Sequence, residues 1–110
     1  MRTRFQSAIG FGLFVFTLGA SNAVGAQDAS TALHVRANAA MCANCHGSEG
    51  HTVKDSAVPS IAGLPRDYMV QQMHAFKDGS RPATIMHQIT KGLSEAQITS
   101  LADYFAAQAR

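Results

Sequence analysis

The chain has 110 residues, with nine Lys and Arg, seven Asp and Glu, and a formal net charge of +2. Two of the basic residues, Arg2 and Arg4, lie in a segment that we expect to be removed. The 84 residues from Gln27 to Arg110 then carry seven side chains of each sign. This balance gives no indication of nucleic-acid binding. The length is that of one small domain, in which the protein core alone gives marginal stability.

The N-terminal segment, residues 1–26, has the pattern of a secretory signal. A basic start precedes an uncharged stretch from Ser7 to Ala20, and Val24-Gly25-Ala26 resembles a cleavage site. The stretch is shorter than the roughly 20 apolar residues that span a membrane. We therefore expect a periplasmic protein without a membrane span, made of residues 27–110 after cleavage near Ala26.

The first predicted helix covers about Ser30 to Asn44 and ends where Gly47 releases the chain. Its apolar members include Leu33, Val35, Ala37, Ala40 and Met41.

The end of this helix carries Cys42-Ala43-Asn44-Cys45-His46, and the chain has no other cysteine. This C-x-x-C-H spacing is the signature of covalent haem attachment. Two thiols three positions apart lie on one side of a helical turn, where each can add to a porphyrin vinyl group, and His46 then reaches the iron. We predict one haem c per chain. The alternatives are a redox dithiol and half of a zinc site.

The middle of the chain contains a loop and two helical segments. Residues 47–64 are loop-like, and Pro65 fits the first turn of a helix that runs to Asp78 and stops at Gly79. A further helical stretch is predicted over Pro82 to Lys91. The longer helix has an apolar stripe of Met69, Met73 and Phe76.

The last helix has the clearest local signals. Ser94 and Gln97 match a capping box, and Leu93 with Ile98 can form a hydrophobic staple. One apolar face follows, formed by Ile98, Leu101, Ala102, Phe105 and Ala109. We expect Phe105 or Tyr104 to pack on small residues of the first helix, among them Ala37, Ala39 and Ala40.

With a haem motif on the first helix and a methionine before the last, the chain resembles the class I c-type cytochromes. The resemblance implies an all-α fold of three to four helices around one haem. It also implies His46 and Met86 as the axial iron ligands, and Pro59 as the residue whose carbonyl accepts from the His46 ring. Such a bond would fix the tautomer of the ligand.

Other side chains compete with Met86 for the second axial position. Met41 adjoins Cys42 and would struggle to reach the opposite haem face, and a methionine on an apolar stripe is more often core filler. The open alternatives are His87 and Met73. We predict surface or loosely packed positions for His34, His51 and His74.

Three further residues are candidates for the propionate side of the haem. The guanidinium of Arg81 can donate two parallel hydrogen bonds to a carboxylate. Tyr68 can pack its ring against the haem while its hydroxyl forms a hydrogen bond. Gln72 is a weaker candidate. The competing interpretation is a helix-packing Tyr, a solvated Gln and a surface Arg.

The stretch from Leu64 to Gln72 and the run from Gly79 to Met86, followed by Lys91-Gly92, resemble a narrower branch of the family. This branch contains dihaem cytochromes and the cytochrome subunit of flavocytochrome c sulfide dehydrogenase, and the second run most resembles that subunit. With one motif and no internal repeat, this chain would be a monohaem version.

The resemblance implies single-electron transfer without catalysis by the chain itself. The partner would be an FAD-containing flavoprotein that oxidises sulfide, with other redox proteins as acceptors. The alternative is a free carrier between respiratory complexes, and a minor alternative is a haem sensor or peroxidase-like enzyme. Two uncharged segments, residues 57–62 and 83–85, are expected to furnish the partner surface.

Overall fold

The computed structural model describes residues 23–110, and most of the predicted signal segment lies outside them. Four α-helices follow one another: α1 is Ala23–His46, α2 is Arg66–Asp78, α3 is Met86–Lys91 and α4 is Glu95–Ala106. A 3₁₀ turn, Ser48–Gly50, follows α1. Residues 23–110 contain no strand, so the all-helical prediction is confirmed for this part of the chain.

Helix α1 is longer than predicted at both ends. It begins at Ala23 rather than near Ser30, because Ala and Gln in this stretch favour helix and no Gly or Pro after Gly25 interrupts it. It continues through the whole cysteine motif to His46. Gly47 then has a φ of 80°, and an added Cβ there would lie 1.8 Å from the His51 carbonyl oxygen. Only glycine fits this turn, so α1 ends directly after the cysteine motif.

Helix α2 matches its predicted bounds closely, whereas the next helix is shorter than predicted. Gly79 closes α2 in the left-handed conformation, with a φ of 85°. The predicted stretch from Pro82 is helical only over Met86–Lys91. Pro82 has no N–H group to donate, and the Arg81 N–H bonds back to the Ala75 carbonyl at 2.9 Å. The bends before Met86 follow from these constraints.

Helix α4 begins as its capping signals predict. The Gln97 N–H donates to the Ser94 hydroxyl at 3.2 Å, and the Ser94 N–H donates to the Gln97 side chain at 2.9 Å. Leu93 and Ile98, the two residues of the predicted staple, are both buried. Ala109 lies beyond the end of the helix and is exposed, so its predicted place on the apolar face was wrong.

The core is formed by α1, α2 and α4. One small residue of α1, Ala39, is buried against the apolar face of α4, whereas Ala37 and Ala40 are exposed. The predicted packing of α4 on α1 is therefore confirmed through one of its three alanines. Leu33 and Met41 on α1 are 69% and 59% exposed. The buried cluster consists of Ala39, Met69, Leu93, Ile98, Leu101, Ala102 and Phe105.

Candidate haem-attachment site

The two thiols of the motif differ in their surroundings. Cys42 is half-buried and packs against the core cluster, whereas Cys45 is exposed. Burial raises the pKa of the Cys42 thiol, because a charged thiolate is poorly solvated there. Both are free thiols on the last turn of α1, one at the core and one at the surface. Along the motif, Cys42 therefore contacts the apolar core, Cys45 lies at the surface and His46 is buried.

His46 is oriented by a backbone group from a distant loop. Its side chain is buried, and its Nδ1 lies 2.7 Å from the Pro59 carbonyl oxygen. Because a carbonyl only accepts, the ring donates from Nδ1, and in the neutral imidazole the lone pair then lies on Nε2. This is the tautomer of a histidine that binds a metal through Nε2 while its Nδ1–H group donates to a carbonyl.

The loop that carries Pro59 is folded around Gly50. The Gly50 carbonyl accepts the Ile61 N–H at 2.9 Å, the Ala62 N–H at 3.1 Å and the Ser60 hydroxyl at 2.8 Å. Gly50 has a φ of 86°, and an added Cβ would lie 2.9 Å from the Phe105 ring and from the Ala62 nitrogen. A single glycine thus holds the segment after Pro59 against α4, and it fixes the position of the Pro59 carbonyl.

Met86 is the first residue of α3 and is half-buried. Thr90, one turn later, is completely buried, and its hydroxyl donates to the Met86 carbonyl at 2.9 Å. A helix of six residues has little stability of its own. The buried Thr90 hydroxyl is thus satisfied within α3 by the carbonyl of Met86.

The side chains that could compete with Met86 for the iron, and the remaining histidines, lie in different environments. Met69 is in the core and Met73 is partly buried against it, whereas Met41 is largely exposed. His87 is half-buried, and its Nδ1 is buried without a hydrogen-bond partner among the described residues. His34 and His51 are exposed, and His74 lies 3.2 Å from Glu95.

Two of the residues predicted for the propionate side, Gln72 on α2 and Arg81 in the following loop, are in contact. Arg81 is exposed; its guanidinium lies 4.5 Å from the centre of the Phe76 ring and donates to the Gln72 side chain. Tyr68 is 45% exposed. One N–H of Arg81 is thus already committed to Gln72, and the rest of the fork is available to a carboxylate.

The donor set suits a covalently held haem better than a metal ion held by protein alone. Within residues 23–110, no three His, Cys, Asp or Glu come together in a way that could hold a metal ion. A zinc site needs such a group. Two free thiols followed by an imidazole with its Nε2 available match the needs of thioether attachment and one axial ligand. In the same range no helix is long and apolar enough to cross a membrane.

Two residues that build this site, Gly50 and Thr90, are not among those predicted from the sequence. The spacing of Thr90 from Met86 places both on one helix face, which was a usable signal. The role of Gly50 depends on contacts with Ile61, Ala62 and Phe105, which no local pattern reveals.

Comparisons with known proteins agree with this geometry. Residues 36–108 match the protein family described as "Cytochrome c". The chain is 41% identical over 68 residues to the thiosulfate dehydrogenase electron acceptor of Thiomonas intermedia, covering 62% of this chain and 31% of that protein. It is 39% identical over 64 residues to the cytochrome subunit of sulfide dehydrogenase of Chlorobaculum tepidum, covering 58% of this chain and 56% of the relative.

A solved structure gives the same relationship in three dimensions. A cytochrome c4 of Acidithiobacillus ferrooxidans superposes with a TM-score of 0.56 at 36% identity, over 60% of this chain and 37% of that chain. The chain spans from 31% to 56% of the length of these sequence relatives.

Proposed function

The chain belongs to the cytochrome c family and has its all-α class I fold, as the sequence predicted, and from that premise we propose that it is a periplasmic monohaem electron-transfer protein. We propose residues 1–26 as its secretory signal and 27–110 as the cytochrome domain. Members of this family carry covalently bound haem c, which supplies one-electron chemistry by cycling between ferrous and ferric iron.

The observation that carries the proposal is the pairing of a C-x-x-C-H helix end with a fixed imidazole. Cys42 and Cys45 would hold the haem, and His46 would bind the iron through Nε2 because its Nδ1 donates to Pro59. Met86 would be the second axial ligand. Tyr68 and Arg81, with Gln72 behind Arg81, would lie on the propionate side.

His46 and Met86 would together hold the iron, and an iron held by both side chains would have no free position for a substrate. The chain itself then transfers electrons without catalysing bond chemistry. Burial of His46 and its hydrogen bond to Pro59 hold the end of α1 in place, and the complete burial of Thr90 anchors α3. A haem site whose ligands move little between oxidation states has a low reorganisation energy for electron transfer.

We further propose that the physiological partner is an exported FAD-containing flavoprotein that oxidises sulfide. The support is the 39% identity to a relative described as the cytochrome subunit of sulfide dehydrogenase. A second relative, at 41% identity, is described as an electron acceptor of thiosulfate dehydrogenase, so oxidation of reduced sulfur is common to both. The flavoprotein would carry the catalysis, and other redox proteins would accept the electrons.

The surface beside Met86 suits a lasting complex. Ile85 and Ile89 are 56% and 42% exposed, and they lie one helical turn apart. Across residues 57–62, the loop that carries Pro59 exposes Ala57, Pro59 and Ser60 and contains no charged residue. Apolar surface of this kind is typical of permanent subunit interfaces, whereas diffusing carriers rely more on charge.

Co-expression with a flavoprotein encoded beside this gene tests the proposal. The complex should survive gel filtration at moderate salt, and sulfide should reduce the haem much faster in the complex than in the isolated cytochrome. Ile85→Glu should weaken the complex, whereas Leu33→Glu, at an exposed position on α1, should not. A cytochrome that elutes alone, and whose reduction by sulfide is no faster with the flavoprotein, indicates a free carrier.

A further inference from the structure

A short segment after α4 lies against the loop that follows the cysteine motif. We call this segment, residues 107–110, the strap. Its start is fastened to α4, because the Gln108 N–H donates to the Phe105 carbonyl at 3.2 Å and the Gln108 side chain donates to the Tyr104 carbonyl at 2.7 Å. The strap therefore leaves α4 in a defined direction, and it contacts the loop on both sides of Pro59 in the sequence.

His51 makes the first of these contacts. Its Nε2 lies 2.7 Å from the carbonyl oxygen of Ala109, which is 58 positions away, and its Nδ1 lies 3.2 Å from the Ser48 carbonyl oxygen. A neutral imidazole can donate to only one of two carbonyls, whereas a protonated imidazole donates to both. The shorter contact favours donation to Ala109, so the ring holds the strap in either protonation state.

Gly63 makes the second contact with the strap. The Arg110 Nε donates to the Gly63 carbonyl at 2.9 Å, and the Gly63 N–H donates to the Phe105 carbonyl at 2.8 Å. The approach is close, because an added Cβ at Gly63 would lie 2.6 Å from the Arg110 side chain and 3.0 Å from the Gln108 carbonyl oxygen. The strap is thus packed against the loop at Gly63 as well as hydrogen-bonded to it.

The part of the loop between these two contacts contains the carbonyl that orients His46. Ser60 follows Pro59 directly, and its hydroxyl donates to the carbonyl of Gly50, the residue before His51. The strap therefore joins the two ends of a segment that is also closed on itself through Gly50. With both ends held, the Pro59 carbonyl is restrained at its 2.7 Å distance from the His46 Nδ1.

We infer that His51 is a positioning residue for electron transfer: by holding the strap, it keeps the Pro59 carbonyl on the His46 ring. It acts through the strap and the loop rather than on the iron. A hydrogen bond from Nδ1 to a carbonyl makes an imidazole ligand more basic, which favours ferric iron, so a loosened bond should raise the reduction potential. The inference rests on the proposed role of His46 as an iron ligand.

Exchange of the His46 Nδ1–H with water, measured by NMR on the reduced holoprotein, tests the inference together with the reduction potential. His51 is exposed, so His51→Ala leaves the core intact. It should speed the exchange about twofold to tenfold, the factor that corresponds to one hydrogen bond, and raise the potential. His51→Gln should return both values towards those of the unaltered chain, because its amide can donate to the Ala109 carbonyl. His34→Ala, at an exposed histidine of α1, is the matched control and should change neither.

A chain that ends at Gln108 lacks both strap contacts and tests the route of the effect. It should exchange the His46 proton at least as fast as the His51→Ala variant, and adding His51→Ala to it should have no further effect, because both changes remove the same interaction. A further acceleration would mean that His51 acts through Ser48 and would overturn the inference, as would unchanged exchange and potential in His51→Ala. Failure of the proposed function shows separately, as an unaltered chain without covalent haem.

Discussion

The His46 ring donates from Nδ1 to the Pro59 carbonyl over 2.7 Å, although 13 positions separate the two residues in the sequence. This bond joins the end of α1 to the loop that Gly50 folds. It sets the ring tautomer, and through it the nitrogen that faces a cofactor.

The first prediction concerns that tautomer. In the reduced holoprotein, the His46 Nδ1–H should give a resolved NMR signal that exchanges slowly with water, because the ring is buried and hydrogen-bonded. The ring N–H of exposed His34 should exchange fast and serves as the control. Long-range ¹H–¹⁵N correlation identifies the protonated nitrogen. A proton found on His46 Nε2 would remove that nitrogen as an iron ligand.

The second prediction concerns covalent attachment. On denaturing electrophoresis haem should migrate with the unaltered polypeptide, and the double substitution Cys42→Ala with Cys45→Ala should abolish this. In apo-protein near neutral pH, Cys42 should be alkylated more slowly than exposed Cys45, because burial raises the pKa of the Cys42 thiol and leaves less thiolate. Free thiols in the holoprotein would contradict thioether attachment.

The third prediction compares two half-buried methionines. Met86→Ala should remove the weak far-red sulfur-to-iron absorption of the oxidised protein, lower its potential and admit carbon monoxide to the reduced iron. Met73→Ala is the matched control, because Met73 is also half-buried and packs against the core. It should cost up to about 2 kcal/mol of stability with an unchanged spectrum. An unaltered spectrum in the Met86 variant would move the ligand assignment to another residue.

The fourth prediction concerns the support of Met86. Thr90→Val keeps the shape of a fully buried side chain but removes its hydrogen bond to the Met86 carbonyl. We expect a loss of about 0.5–1.5 kcal/mol in the free energy of unfolding and a weaker far-red absorption. Thr90→Ser keeps the hydroxyl and should keep the absorption. Equal absorption in the Val and Ser variants would mean that Thr90 only fills space.

The fifth prediction separates backbone strain from crowding at two glycines with nearly equal φ, Gly50 at 86° and Gly79 at 85°. Gly79→Ala meets no atom within 4 Å, so it should cost only the strain of about 1–2 kcal/mol. Gly50→Ala also crowds Phe105 and Ala62, so it should cost about 1–3 kcal/mol more. Denaturant unfolding of both variants measures the difference. Equal losses in the free energy of unfolding would show that the loop around Gly50 accommodates the added methyl group at no energetic cost.

The sequence by itself determined the features that depend on near neighbours in the chain. The spacing of Cys42, Cys45 and His46 indicated haem chemistry, and the Ser94 and Gln97 capping box located the start of α4. Gly79 marked the end of α2 for the same reason: a helix terminus is decided within one turn. These local signals, with the resemblance they supported, were enough for the all-α fold and the family.

Only the tertiary structure decided which residues meet across the molecule. That Ala39 is buried while Ala37 and Ala40 are exposed depends on how α1 crosses α4. The role of Gly50 depends on the approach of Phe105, and the burial of the His87 Nδ1 depends on the packing around α3. Burial and hydrogen-bond satisfaction are properties of the packed chain, because each requires partners that sequence spacing does not specify.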